Sequence, residues 1–193
     1  VSENGILKLT DFGLARMFGR EEERLSPEAV TIWYRPPELL FGATKYTAAA
    51  DMWGIGCIFA EMWLGRPLFP TEQPHTELAQ LRAIFSFLGT PTEKDWPNHT
   101  KLPLYVPFEP SAPAPFELTF QGVSLDAIDL LKKLLVLNPA KRLTAEEALQ
   151  HPYFSNDPKP TPPQHLVLDP PAEPPPPQHA FFASSTARKL TWD

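Results

Sequence analysis

The alternation of apolar and polar positions divides the chain into a helical middle flanked by less regular ends. Residues 47–64 are apolar around most of the helical circumference, through Met52, Trp53, Ile55, Ile58, Phe59, Met62 and Trp63. That pattern predicts a helix surrounded by protein, a central pillar. Gly65-Arg66-Pro67 ends it. A second helix is expected over about 75–88, where Leu78, Leu81, Ile84, Phe85 and Leu88 recur at three- and four-residue steps and Glu77, Gln80 and Arg82 form the polar side. A third runs over 124–137 through Leu125, Ile128, Leu131, Leu134 and Leu135, with Asp126 near its start and Lys132 and Lys133 further on, the polarity that the helix dipole favours; Asn138-Pro139 stops it. Thr144-Ala145-Glu146-Glu147 has the spacing of a capping box and starts a last helix that ends near His151-Pro152.

Outside these helices the period changes or vanishes. Ile6, Leu7 and Leu9 predict a short strand over 5–10. Residues 18–30 are charged and aperiodic and read as a mobile loop. Prolines interrupt 89–121, yet Trp96, Tyr105, Phe108 and Phe116 are too apolar to be left in solvent, so this stretch reads as an irregular, packed insertion. Beyond Phe154 prolines dominate, notably the run Pro174–Pro177, and the apolar content is too low for independent folding. The domain reading is one globular unit at 1–154 and a Pro-rich, disordered tail at 155–193. The fold class is mainly α.

Composition narrows the functions available. With 193 residues, 42% of them hydrophobic, the chain can bury one core of ordinary size. A formal charge of -6 and a pI near 5.4 argue against direct nucleic-acid binding, which needs clustered Lys and Arg. Cys57 is the single cysteine and lies in an apolar stretch, so a buried, inert thiol is expected and an internal disulfide framework is excluded. No basic-then-apolar leader opens the sequence and no apolar run is long enough to span a bilayer, which points to a reducing intracellular compartment without membrane insertion. The five histidines share no metal-ligand spacing, and surface or capping roles are assigned to them.

Two motifs carry the chemistry. Asp11-Phe12-Gly13 places a hard anionic oxygen at a strand end, suited to Mg²⁺ bound to ATP phosphates, with Phe12 packing inward and Gly13 allowing the backbone turn. Some two dozen residues later stands Trp33-Tyr34-Arg35-Pro36-Pro37-Glu38. A strand-end aspartate in a turn would look the same in three letters; the second motif at this distance argues for the metal-binding reading, because together they have the layout of a protein-kinase activation segment. Within these 193 residues no Gly-rich phosphate loop, strand lysine or His-Arg-Asp loop precedes Asp11. The chain therefore reads as the distal part of a kinase, inactive by itself.

Asp11-Phe12-Gly13-Leu14-Ala15-Arg16, Val30-Thr31-Ile32-Trp33-Tyr34-Arg35-Pro36-Pro37-Glu38 and Asp51-Met52-Trp53-Gly54-Ile55-Gly56-Cys57 resemble the cyclin-dependent kinases. Leu39-Leu40-Phe41-Gly42-Ala43, Leu88-Gly89-Thr90-Pro91-Thr92-Glu93 and Trp96-Pro97 resemble more specifically the CDK-activating kinase type, the kinase subunit of TFIIH; the likeness extends to Pro163. It implies the C-terminal helical lobe of the protein-kinase fold, ATP and Mg²⁺ as cofactors, and a catalytic base that lies upstream. By the same resemblance Ser26 stands at the activation-loop phosphosite, with Arg16 as one residue of its phosphate clamp. Thr31 would help place the acceptor hydroxyl, and Val30 and Arg35 would form the pocket for a proline after the phosphorylated Ser or Thr. Glu38 and Arg142 would form a buried ion pair, and Asp51 would accept backbone hydrogen bonds from the catalytic loop; both roles are structural. The implied substrates are the C-terminal heptad repeats of RNA polymerase II and the activation loops of other cyclin-dependent kinases. The implied partners are a cyclin and an assembly factor, and the implied location is the nucleus. Two other readings stay open at this point: a non-catalytic binding module, and a proline-directed kinase of the mitogen-activated type, which Leu39–Ala43 disfavours.

Overall fold

A computed structural model describes residues 6–12, 32–44, 47–72, 76–162 and 165. Contacts divide the chain into two units. Of one, the described residues are 6–11, 161, 162 and 165; the other runs from Phe12 to Pro160 and holds every described helix.

In the larger unit a 3-10 turn at Ile32–Tyr34 leads into α1 (Pro37–Leu40), α2 (Ala49–Leu64) and α3 (Glu77–Leu88). After the proline-rich stretch come α4 (Phe116–Thr119), α5 (Leu125–Leu134), α6 (Ala145–Leu149) and α7 (Pro152–Ser155), with further 3-10 turns at His99–Lys101 and Pro139–Lys141. The helix boundaries have local causes. Gly65 at φ 66° takes the left-handed conformation that closes α2, its N–H donating to Glu61 O. Thr76 caps α3 by accepting from the Ala79 N–H, and Ser124 does the same for α5 through Ala127. The capping box of α6 is present in both directions between Thr144 and Glu147. α5 stops short of the predicted Leu137 because the Val136 and Leu137 carbonyls turn onto the Arg142 guanidinium.

α2 and α5 are the most closely packed pair. Gly56 sits where they meet: a Cβ there would come within 2.9 Å of the Leu135 side chain. Trp53 of α2, with no exposed surface, stacks on Phe69 at 5.9 Å between ring centroids. The insertion packs as its aromatics require. Phe41, also fully buried, is ringed by Phe85, Trp96, Tyr105 and Phe108 at 5.5 to 6.3 Å.

Four expectations from the sequence are corrected. Residues 6–10 form no strand: their backbone takes no regular element, and Ile6, Leu7 and Leu9 are exposed, without the buried face that holds a strand in a sheet. α2 is not surrounded by protein, since Ile55, Ile58, Met62 and Trp63 form an apolar stripe that is 45 to 77% exposed. Gln80 does not face solvent; it is completely buried on α3. His99 is buried rather than superficial, its Nδ1–H donating to Trp96 O at 2.7 Å beneath the indole ring. His151 is also buried but does cap a helix, its Nδ1 accepting from the Tyr153 N–H while Nε2 meets Asp129 at 2.9 Å. With Lys133 bonded to the same carboxylate, and His151 second in effect, the Asp129 carboxyl is held below its ordinary range.

Candidate functional site

The Trp33–Glu38 segment is fastened at nearly every residue. Two prolines cannot donate backbone hydrogen bonds, so fixing this segment falls to side chains. The Trp33 indole N–H donates to Thr71 Oγ1 at 3.2 Å, and its carbonyl accepts from Gln80 Nε2 at 3.2 Å. Tyr34 donates its hydroxyl to Glu61 of α2 at 2.6 Å, and that bond to a carboxylate, with some burial, pushes the phenol up to about 12. Arg35 lies 3.6 Å from Glu77 at the start of α3, and Pro37 occupies the first position of α1, where its fixed φ suits the helix.

The deepest anchor is Glu38 with Arg142. The two side chains are 6% and 0% exposed, and the guanidinium donates from Nη1 to Oε1 and from Nη2 to Oε2, each at 3.0 Å. Arg142 spends its other donors on the carbonyls of Val136, Leu137 and Ala49 and lies 5.1 Å over the Trp53 ring. A buried charge pair holds only when nearly every donor and acceptor is met, which is the case here. One guanidinium thereby joins α1, the start of α2 and the turn after α5, across 104 residues of sequence.

The remaining candidate residues fall as follows. Asp11 is exposed and adopts φ 60°, the left-handed region that few residues other than glycine enter and that aspartate tolerates better than most. Phe12 is 70% exposed rather than packed inward: no apolar surface among the described residues covers it. Asp51 is exposed in the first turn of α2. Cys57 is buried, and burial pushes its thiol up to about 12, so it is a neutral packing residue at physiological pH. Gly13, Arg16, Ser26, Val30 and Thr31 lie outside the described residues, as does the predicted loop at 18–30. Among the described residues no group of three His, Cys, Asp or Glu is arranged to hold a metal ion, and none of the described helices is long and apolar enough to cross a membrane.

Sequence reasoning missed two polar residues of this site, Gln80 and Glu61. Gln80 lies among the apolar three- and four-residue steps of α3, next to Leu81 and one turn before Ile84, and that position was the available signal. Glu61 stands on a helix otherwise almost free of charge.

Residues 1–154 match the protein kinase domain family. The chain belongs to the protein kinases. It is 50% identical over 168 residues to cyclin-dependent kinase 7 of Dictyostelium discoideum, covering 87% of this chain and 46% of that protein. It is 46% identical over 162 residues to the probable serine/threonine-protein kinase KIN28 homolog of Encephalitozoon cuniculi, covering 84% of this chain and 51% of the relative. Among solved structures, the CAK complex of Chaetomium thermophilum bound to ATP-gamma-S aligns with a TM-score of 0.77 and 41% identity over 86% of this chain and 52% of that one. Within the kinases its similarity is to proteins named cyclin-dependent kinase 7 and KIN28 and to the CAK complex, and it spans about half the length of the relatives it matches.

Proposed function

We propose that the full-length protein is a cyclin-dependent Ser/Thr protein kinase, and that this 193-residue chain supplies its activation segment and C-terminal helical lobe. It transfers the γ-phosphoryl group of ATP to Ser or Thr: the hydroxyl oxygen bonds to the γ-phosphorus as its proton passes to the catalytic base of the full-length protein, the bond to the bridging oxygen breaks, and ADP leaves. Its substrates are the heptad repeats of the RNA polymerase II C-terminal domain and the activation loops of other cyclin-dependent kinases. Its partners are a cyclin and an assembly factor within TFIIH, and it works in the nucleus.

The observation that carries this reading is the Glu38–Arg142 pair. A protein gains little stability from a buried bidentate pair over an apolar contact of the same size. What the pair does supply is a fixed position for the segment that precedes it, and a substrate-docking loop needs that. Asp11 fits the cofactor. Its carboxylate is exposed, offers hard oxygens of the kind Mg²⁺ prefers, and is held at φ 60°, a conformation that costs energy and is found where geometry matters. With ATP bound, Mg²⁺ at that carboxylate would neutralise phosphate charge. Val30, Thr31 and Arg35 would line the acceptor pocket, and a phosphate on Ser26 would pair with Arg16.

The test is phosphoryl transfer by the full-length gene product, purified with its cyclin, to a heptad-repeat peptide. Asp11→Asn is expected to lower the rate by about a hundredfold or more, since it removes an electrostatic contact made to the transferring group, while the melting temperature stays put. Wild-type activity unaffected by Asp11→Asn, or none toward Ser or Thr in any peptide, would overturn the reading.

A further inference from the structure

α3 carries a polar residue on its core side. Gln80 has no exposed surface, and its Nε2 lies 3.2 Å from the Trp33 carbonyl and 3.3 Å from the Phe69 carbonyl. Both neighbours are acceptors, so the amide nitrogen must face them. That leaves Oε1 buried without a hydrogen-bond partner among the described residues. An orphaned carbonyl is destabilising, and a methionine would fill the same space without one. What glutamine supplies and methionine lacks is a pair of donors aimed at two separate segments.

Those segments are the ones that frame the docking loop. Trp33 is its first fastened residue, and two positions beyond Phe69 is Thr71, which accepts from the Trp33 indole. One turn before Gln80 on the same helix, Glu77 approaches Arg35 at 3.6 Å. α3 therefore grips the docking segment at two alternate residues, Trp33 and Arg35, by a buried neutral contact and an exposed charged one.

We infer that Gln80 is a positioning residue for substrate: by fixing the Trp33 carbonyl it sets the 33–34 peptide plane, and through it the pocket beside Arg35 that receives the residue after the phosphorylated Ser or Thr. This rests on the proposed reading of Trp33–Glu38 as the substrate-docking loop. Gln80 touches neither the nucleotide nor the reacting atoms, so its removal acts on peptide recognition.

The experiment compares the full-length protein with its cyclin as wild type, Gln80→Met, Gln80→Glu and, as a packing control, Leu131→Ala. Two peptides are used, identical but for Pro or Ala after the target Ser. Gln80→Met is expected to raise the KM for the Ser-Pro peptide about fivefold, in line with the loss of one hydrogen bond, to narrow the Pro-over-Ala preference, and to leave the KM for ATP unchanged. Gln80→Glu should do more, because a carboxylate would face two carbonyls. Leu131→Ala should lower the melting temperature without moving either KM. If Gln80→Met lowers the melting temperature like Leu131→Ala while peptide KM and proline preference keep their wild-type values, Gln80 is a packing residue and the inference is wrong. If Gln80→Glu does not fold, Gln80→Met carries the test alone. If the wild type itself shows no preference for proline, the docking-loop reading fails first, and the inference falls with it.

Discussion

Two cation–carboxylate pairs hold the Trp33–Glu38 segment, and they are of different physical kinds. Glu38 and Arg142 meet twice at 3.0 Å with side chains 6% and 0% exposed. Arg35 and Glu77 approach to 3.6 Å with side chains 20% and 47% exposed. The charges are the same, but the surroundings reverse what each pair can do. In the buried pair neither ion has water to fall back on, so the geometry is all or nothing. In the exposed pair solvent and salt compete with the contact at every moment, and the geometry can adjust. The segment is therefore rigid at Glu38 and adjustable at Arg35, the residue proposed for the substrate pocket.

The largest expected effect comes from breaking the rigid end on one side only. Arg142→Met strands the Glu38 carboxylate in the core and frees the Val136 and Leu137 carbonyls, and should cost about 3 to 5 kcal/mol in urea denaturation of the full-length protein. Adding Glu38→Leu should restore most of that loss, because an apolar pair of similar volume removes the stranded charge. A double variant as unstable as the single one would mean that the carbonyl contacts of Arg142, and not its charge, hold this end.

These two anchors were unequally legible in the sequence. Glu38 and Arg142 were expected to meet because their motifs resemble those of a known family; no periodicity relates residues 104 positions apart. The long helices were readable from local signals alone: the apolar steps of α3 and α5, and the capping box of α6, were found within a few residues of their predicted places. The failures share a cause. Whether residues 6–10 become a strand, whether Ile55, Ile58, Met62 and Trp63 are covered, and whether Phe12 packs depend on neighbours that the pattern of a single segment does not contain. Gln80 failed for the opposite reason. Its side-chain type pointed to solvent, and two carbonyls from other segments brought it inside.

At the adjustable end the effect should be small and salt-dependent. A double-mutant cycle on Arg35→Met and Glu77→Gln is expected to give a stability coupling below about 1 kcal/mol, falling toward zero as salt is raised to about 1 M. A coupling of several kcal/mol that survives salt would erase the distinction drawn between the two anchors.

Next to the adjustable end sits Tyr34, whose anchor on the Glu61 carboxylate responds to alkaline pH. Its hydroxyl donates to the Glu61 carboxylate at 2.6 Å, and the phenol is raised from 10.0 to about 12 in the folded protein. A raised folded-state value means the folded form holds its proton more tightly than the unfolded one. The stabilisation is then fully present below about pH 10 and is lost as pH rises from about 10 through 12. Other groups titrate in the same window, so the contribution is isolated by difference. The stability of wild type minus that of Tyr34→Phe should be constant from about pH 7 to 9.5 and should shrink above about pH 10. A difference that shrinks already near neutral pH, or stays level through pH 12, would show that Tyr34 contributes its ring and not its proton to the docking segment.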